Sequence, residues 1–143
     1  MKKFLLALML LTAVSAVAAK KAPATKAQYP DGTYRGVYIS SQETQVELQF
    51  DLKNDVITKA AYRTLFYKGH DWLKEDEYKA KNGGYMKLLE RITNKKVQDV
   101  MPTMYNSEEI EKGGATVREM KVRSALQYGL NLGPFKLPKK EAK

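Results

Sequence analysis

The chain has 143 residues, with 25 basic and 16 acidic side chains, a formal net charge of +9, and no cysteine. The missing thiols exclude a disulfide framework, a thiolate metal site, a lipid anchor on an N-terminal cysteine and a cysteine nucleophile, so packing must hold the fold. The charge is concentrated at the ends: residues 1–28 and 136–143 hold nine of the basic residues and one acidic one, which leaves 16 basic and 15 acidic between Tyr29 and Phe135. A nearly neutral domain lacks the basic face that nucleic-acid binding requires, and the terminal lysines alone would touch an anionic surface only weakly.

In chain order, residues 1–19, "MKKFLLALMLLTAVSAVAA", set two lysines before an apolar run that ends in small residues. This is the three-part pattern of a secretory signal peptide, with cleavage expected after Ala16, Ala18 or Ala19. An uncleaved anchor would need about 20 apolar residues, more than the run from Phe4 to Ala19 supplies, so no stable span is expected after cleavage. Residues 20–30, "KKAPATKAQYP", read as a flexible tether, and residues 136–143 as a basic tail, leaving one domain over 31–135. The expected location is therefore outside the cytoplasmic membrane.

Within the domain, Asp31 and Gly32 supply turn chemistry and a strand begins by Tyr34. In "ETQVELQFDL", Thr44, Val46, Leu48, Phe50 and Leu52 alternate with polar residues, which predicts an antiparallel strand buried on one side. "KND" is a short turn, and "VITKAAYRTLFY" is the returning partner. From Lys68 to Gly84 the pattern predicts a long polar connection, of the kind that is often functional.

"YMKLLERITNKKVQDVM" carries Tyr85, Leu88, Leu89, Ile92, Val97, Val100 and Met101 at helical spacing, with Pro102 as the stop. Ser107 before "EEIEK" predicts a capped single turn. A final helix from about Val117 to Leu130 has Met120, Val122, Ala125, Leu126 and Leu130 on its core side, with Gly133 and Pro134 after it. Strands followed by helices predict an α+β fold, a twisted antiparallel sheet packed on one face by two main helices.

Three stretches bear on function. "KGGAT" stands before the last helix, where free backbone N–H groups and the helix dipole can hold a phosphate and glycines let it approach. The same letters also describe a plain glycine loop with Thr116 as an N-cap. "YRTLFYKGHDW" gathers Tyr62, Phe66, Tyr67, His70 and Trp72, which serve equally as walls for a flat ring or as sheet core and loop anchors. His70 beside Asp71 is not a metal site without further ligands and reads as a surface residue. Glu75, Asp76 and Glu77 are adjacent and cannot converge on one ion from a helix, so no metal is expected. No serine elbow partners the single histidine, so no catalytic residue is assigned and the protein is not expected to be an enzyme.

From Asp31 to Leu132 the chain resembles the bacterial FMN-binding domain family, found in exported electron-transfer proteins and in subunits of sodium-pumping and related redox complexes. Three stretches in order carry the resemblance: "DGTYRG", "VELQFDLKNDVITKAAY" and "GGATVREMKVRSALQYGL". The resemblance implies an FMN cofactor, covalent or non-covalent. Gly114, Ala115 and Thr116 match the family's closing motif, which makes Thr116 the implied attachment point for a phosphoester made by a flavin transferase. Gly113 stands where a hydroxyl residue is usual, Ile110 where an acidic one is, and Arg118 replaces a second hydroxyl residue. The resemblance implies Gly114, Ala115 and Thr116 as phosphate contacts; Gly113 and Arg118 beside them, the latter for its charge, and Tyr67 and Trp72 as ring walls are the further cofactor contacts expected from the residues themselves, and the implied partners are redox proteins outside the cytoplasmic membrane. The competing expectation is a flavin-free exported interaction module of the same fold.

Overall fold

The computed structural model describes residues 26–104 and 115–136, with the side chains of the last helix from Arg118 onward. Four strands, β1 (Gly32–Ser40), β2 (Glu43–Lys53), β3 (Val56–Tyr67) and β4 (His70–Asp71), form an antiparallel sheet in sequential order. Four helices follow: α1 (Asp76–Lys79), α2 (Gly83–Ile92), α3 (Val97–Thr103) and α4 (Ala115–Leu132). The fold is α+β, as the order of patterns predicts. Tight connections suit antiparallel neighbours: Asn54 and Asp55, with φ of 50° and 63°, close the β2–β3 hairpin, and Lys68 and Gly69 close β3–β4.

The alternation in β2 gives a core of Val46, Leu48, Phe50 and Leu52 against Tyr34, Ile57 and Leu65. Tyr34 stacks on Phe50 with centroids 5.3 Å apart. α4 lies across β1 and β2, with Val122, Ala125, Leu126 and Leu130 buried beneath it, while α2 packs on β3 and α4 through Leu88 and Ile92. The helix approaches β1 closely because Gly36 has no side chain: a Cβ there would overlap the Ala125 carbonyl and come within 2.8 Å of the Gly129 nitrogen. Gly36 of the "DGTYRG" stretch is therefore a packing residue, and Gly129 completes the seam from the helix side.

Four expectations are corrected. The stretch 68–84 is more than a connection: it turns at Lys68–Gly69 and returns as β4, and the glycines at 83 and 84 begin α2, while the solvated turn of helix that the mixed charges of "KEDEYKAK" predict is present as α1. The apolar run from Tyr85 is two helices, because Asn94 takes φ 61° and residues 94–97 run beside β3, with Asn94 N donating to Ile57 O (2.7 Å), Ile57 N to Lys95 O (2.9 Å) and Val97 N to Asp55 O (2.9 Å). Pro102 accordingly sits in the last turn of α3 instead of ending a longer helix. Thr44 is only half-buried and its neighbour Gln45 is buried, because the β1–β2 register shifts at Tyr38/Ile39 and breaks the alternation there. Met120 is 48% exposed, so the core side of α4 begins at Val122. The turn expected at Ser107 lies outside the described residues.

Asp55 fastens the chain's approach to the sheet. Its carboxylate accepts hydrogen bonds from the backbone N–H of Gln28 (2.7 Å) and Tyr29 (2.8 Å) and from Gln98 Nε2 (3.0 Å). Burial pushes its pKa up, but these bonds favour the ionised form and hold it below the ordinary carboxylate value.

Candidate functional site

A cleft of about 270 Å³ opens where β3 ends and α4 begins, lined by Leu65, Phe66, Tyr67, Trp72, Tyr85, Arg118 and Lys121. Leu65 and Tyr67 owe their direction to an irregularity in β3. Leu48 pairs with Tyr62 and Glu47 with Thr64, so Arg63 is an extra residue on that strand. After the shift Leu65 lies buried opposite Val46, and Tyr67, two residues on, shares its face.

Trp72 is held just beyond β4, its N–H bonded to Leu65 O at 2.8 Å and its own carbonyl accepting from Asn82 Nδ2 at 2.8 Å. Its ring meets Tyr67, Tyr78 and Tyr85 at centroid distances of 6.4, 5.7 and 6.3 Å. Tyr62 supports the wall from behind, edge-on to Tyr85, donating its hydroxyl to Tyr85 O at 2.9 Å, and burial pushes its phenol pKa far up.

Two cations from one face of α4 enter this aromatic box. The guanidinium of Arg118 lies 5.6 Å over the Tyr85 ring and fills the space left by Gly84, where a Cβ would overlap it. Lys121, one turn along, is 8% exposed, with Nζ 4.5 Å from the Tyr67 centroid and 5.9 Å from that of Tyr38. Among the described residues neither cation has a hydrogen-bonding or ion-pairing partner; each lies over aromatic rings, and Glu43 acts on Lys121 only from beyond ion-pair distance.

The nearest acidic influence on Lys121 is Glu43, whose carboxylate already accepts from Gly69 N (3.1 Å), Lys68 N (3.4 Å) and Gln45 Nε2 (2.9 Å). Burial lowers the Lys121 pKa, Glu43 opposes that and Arg118 adds to it. The Trp72 Nε1–H, shut off from solvent, also lacks an acceptor among the described residues. A buried charge and a buried donor left without partners are costly. What the cleft can do chemically is take a flat ligand bearing acceptor atoms and negative charge.

Of the residues singled out in the sequence, Tyr67, Trp72 and Arg118 meet in this cleft. Ala115 and Thr116 form the first turn of α4, just before Arg118, and Gly113 and Gly114 lie outside the described residues. His70 is a surface residue, as expected: its ring stacks on Tyr78 at 4.1 Å and its Nδ1 is 3.0 Å from Glu75 Oε2, which fixes the turn into α1. Among the described residues no group of three or more His, Asp or Glu is placed to hold a metal. The sequence does not single out Tyr85 or Gly84, and it offers Lys121 only as added charge near a phosphate at the helix start. Tyr85 and Lys121 fit helical core and helical surface patterns, and only tertiary packing turns them toward one space. No family model, curated protein or solved structure matches the chain in comparisons with known proteins.

Proposed function

We propose that this is an exported FMN-binding protein that carries electrons, with the isoalloxazine ring in the cleft and the phosphate at the start of α4. The observation that supports this reading is the convergence of Tyr67, Trp72 and Tyr85 with two unpartnered cations beside the helix turn that carries Thr116. The residues fit the group: aromatic rings give a flat heterocycle its walls, and a helix start with arginine beside it suits a phosphate. The cleft lies near the lower end of ligand-site volumes, about 300 Å³, so it has room for a ring system while the phosphate lies outside along the helix start. The flavin would supply reversible electron transfer; the protein supplies position, exclusion of water and electrostatic setting.

The test is co-expression of the chain with a flavin transferase, followed by visible absorption and intact mass for wild type and Thr116→Ala. A flavin spectrum with the mass of one attached FMN, both absent from the variant, is the outcome expected for covalent attachment at Thr116. Colour that persists in the variant without added mass means non-covalent binding. If excess FMN leaves the wild-type protein colourless, the reading fails and a flavin-free interaction module replaces it.

A further inference from the structure

We propose that the two cleft cations divide the ligand between them: Lys121 recognises the electron-rich polar edge of the ring, and Arg118 takes the phosphate. This inference rests on the flavin reading and adds the orientation of the ligand and the residue that selects for its ring.

Arg118 and Lys121 are three residues apart, so they share a helix face about 4.5 Å apart along the axis, with Arg118 nearer the helix start. Their surroundings differ in the direction that separates the two tasks. Arg118 is half-buried, stands beside the turn that holds Thr116, and offers a planar fork of donors suited to phosphate oxygens. Lys121 is buried against the rings of Tyr67 and Tyr38, with the apolar Leu65 also lining the cleft. Bringing a doubly charged phosphate into that apolar box would forfeit most of its hydration. A neutral ring whose carbonyl and ring-nitrogen acceptors carry partial negative charge enters at far lower cost and gives Lys121 the acceptor it lacks.

The position of Glu43 supports the same assignment. An ammonium has three N–H donors, and Glu43, whose oxygens accept from the Lys68–Gly69 turn and from Gln45, forms no ion pair that would occupy one of them. The charge of Lys121 is thus kept near a ring-shaped space without being neutralised.

The experiment is calorimetric titration of the unloaded chain with FMN and, separately, with riboflavin, which has the ring but no phosphate. Lys121→Met is expected to weaken both ligands by a similar factor, about tenfold or more, the loss typical of one hydrogen bond from a charged donor. Arg118→Met is expected to weaken FMN by about tenfold and to leave riboflavin unchanged. Lys121→Gln keeps a donor without the charge and should give the Lys121→Met pattern at smaller amplitude. It stands in if the methionine variant loses the wild-type far-ultraviolet circular dichroism. Lys121 variants that weaken FMN alone, or neither ligand, overturn the inference while the flavin reading stands. A wild-type chain that binds neither ligand removes both.

Discussion

The two halves of α4 meet the rest of the molecule in opposite ways. From Val122 to Leu130 the helix is fitted: Val122, Ala125, Leu126 and Leu130 are buried, and its backbone is pressed against Gly36 so closely that one methyl group would not fit. From Arg118 to Lys121 it is poised: two cations reach a cleft where, among the described residues, they lie over rings and form no hydrogen bond or ion pair. Fit contributes stability, whereas unmet polar capacity costs it. One helix therefore holds both a closely packed seam and a pair of cations without ion-pairing partners among the described residues, about two turns apart.

Substitutions on either side of this divide should differ in size and even in sign. Gly36→Ala acts on the fitted half, and because the overlap is with backbone it is expected to lower the unfolding free energy by about 3 kcal/mol or more. A urea titration showing less than about 1 kcal/mol would mean that α4 slides along β1 and is not fitted at all.

Asp55→Ala removes three satisfied hydrogen bonds at the far end of the sheet and should cost about 2 kcal/mol at pH 7. Because the folded pKa of Asp55 lies below its unfolded value of about 3.9, its contribution is complete above that value and is lost as pH falls through the folded pKa. The gap between wild type and variant should close as pH drops below about 4, and a gap unchanged between pH 7 and pH 3 would contradict the clamp.

Lys121→Met acts on the poised half and should go the other way, raising Tm in the absence of ligand by roughly 2–5 °C. Its folded pKa is lowered, so between that value and the unfolded value of about 10.4 the unfolded chain holds the extra proton. Wild type then gains stability as pH rises through that window, and the advantage of the variant shrinks toward pH 10. Thermal melts at pH 7 and pH 10 measure this, and a variant that melts lower than wild type at pH 7 would show the lysine to be structural. Tyr62→Phe, which strips one buried hydroxyl from behind the aromatic wall, should cost only about 1 kcal/mol in the same urea assay.

Much of the sheet was legible because its pattern is local. Val46, Leu48, Phe50 and Leu52 alternate without a break, and the two-residue turn at Asn54 and Asp55 follows at once. What escaped depends on partners distant in sequence. The split of the second helical run at Asn94 comes from hydrogen bonds to Ile57, and nothing in "TNKK" announces that strand. The site was half legible: aromatic clustering picked out Tyr67 and Trp72, and position after the glycine motif picked out Arg118. Lys121 is legible only as charge beside the helix start, not as a residue that packing encloses, and the extra residue at Arg63 that aims Tyr67 leaves no mark on composition. The glycines at 83 and 84 carried a usable signal, because a pair at a helix start where only one could be a turn residue hints at a large neighbour lying across the other.

The register also decides which way the molecule faces. Tyr29 is tied to Asp55 at the β2–β3 turn, and Phe135 N bonds to Thr33 O at 2.6 Å, so the incoming and outgoing chain meet at one end of the sheet. The cleft lies at the other, where β1 and β3 finish and α4 starts. Both segments therefore leave the sheet at the end away from the cleft, whose mouth the approach and departure of the chain do not cross.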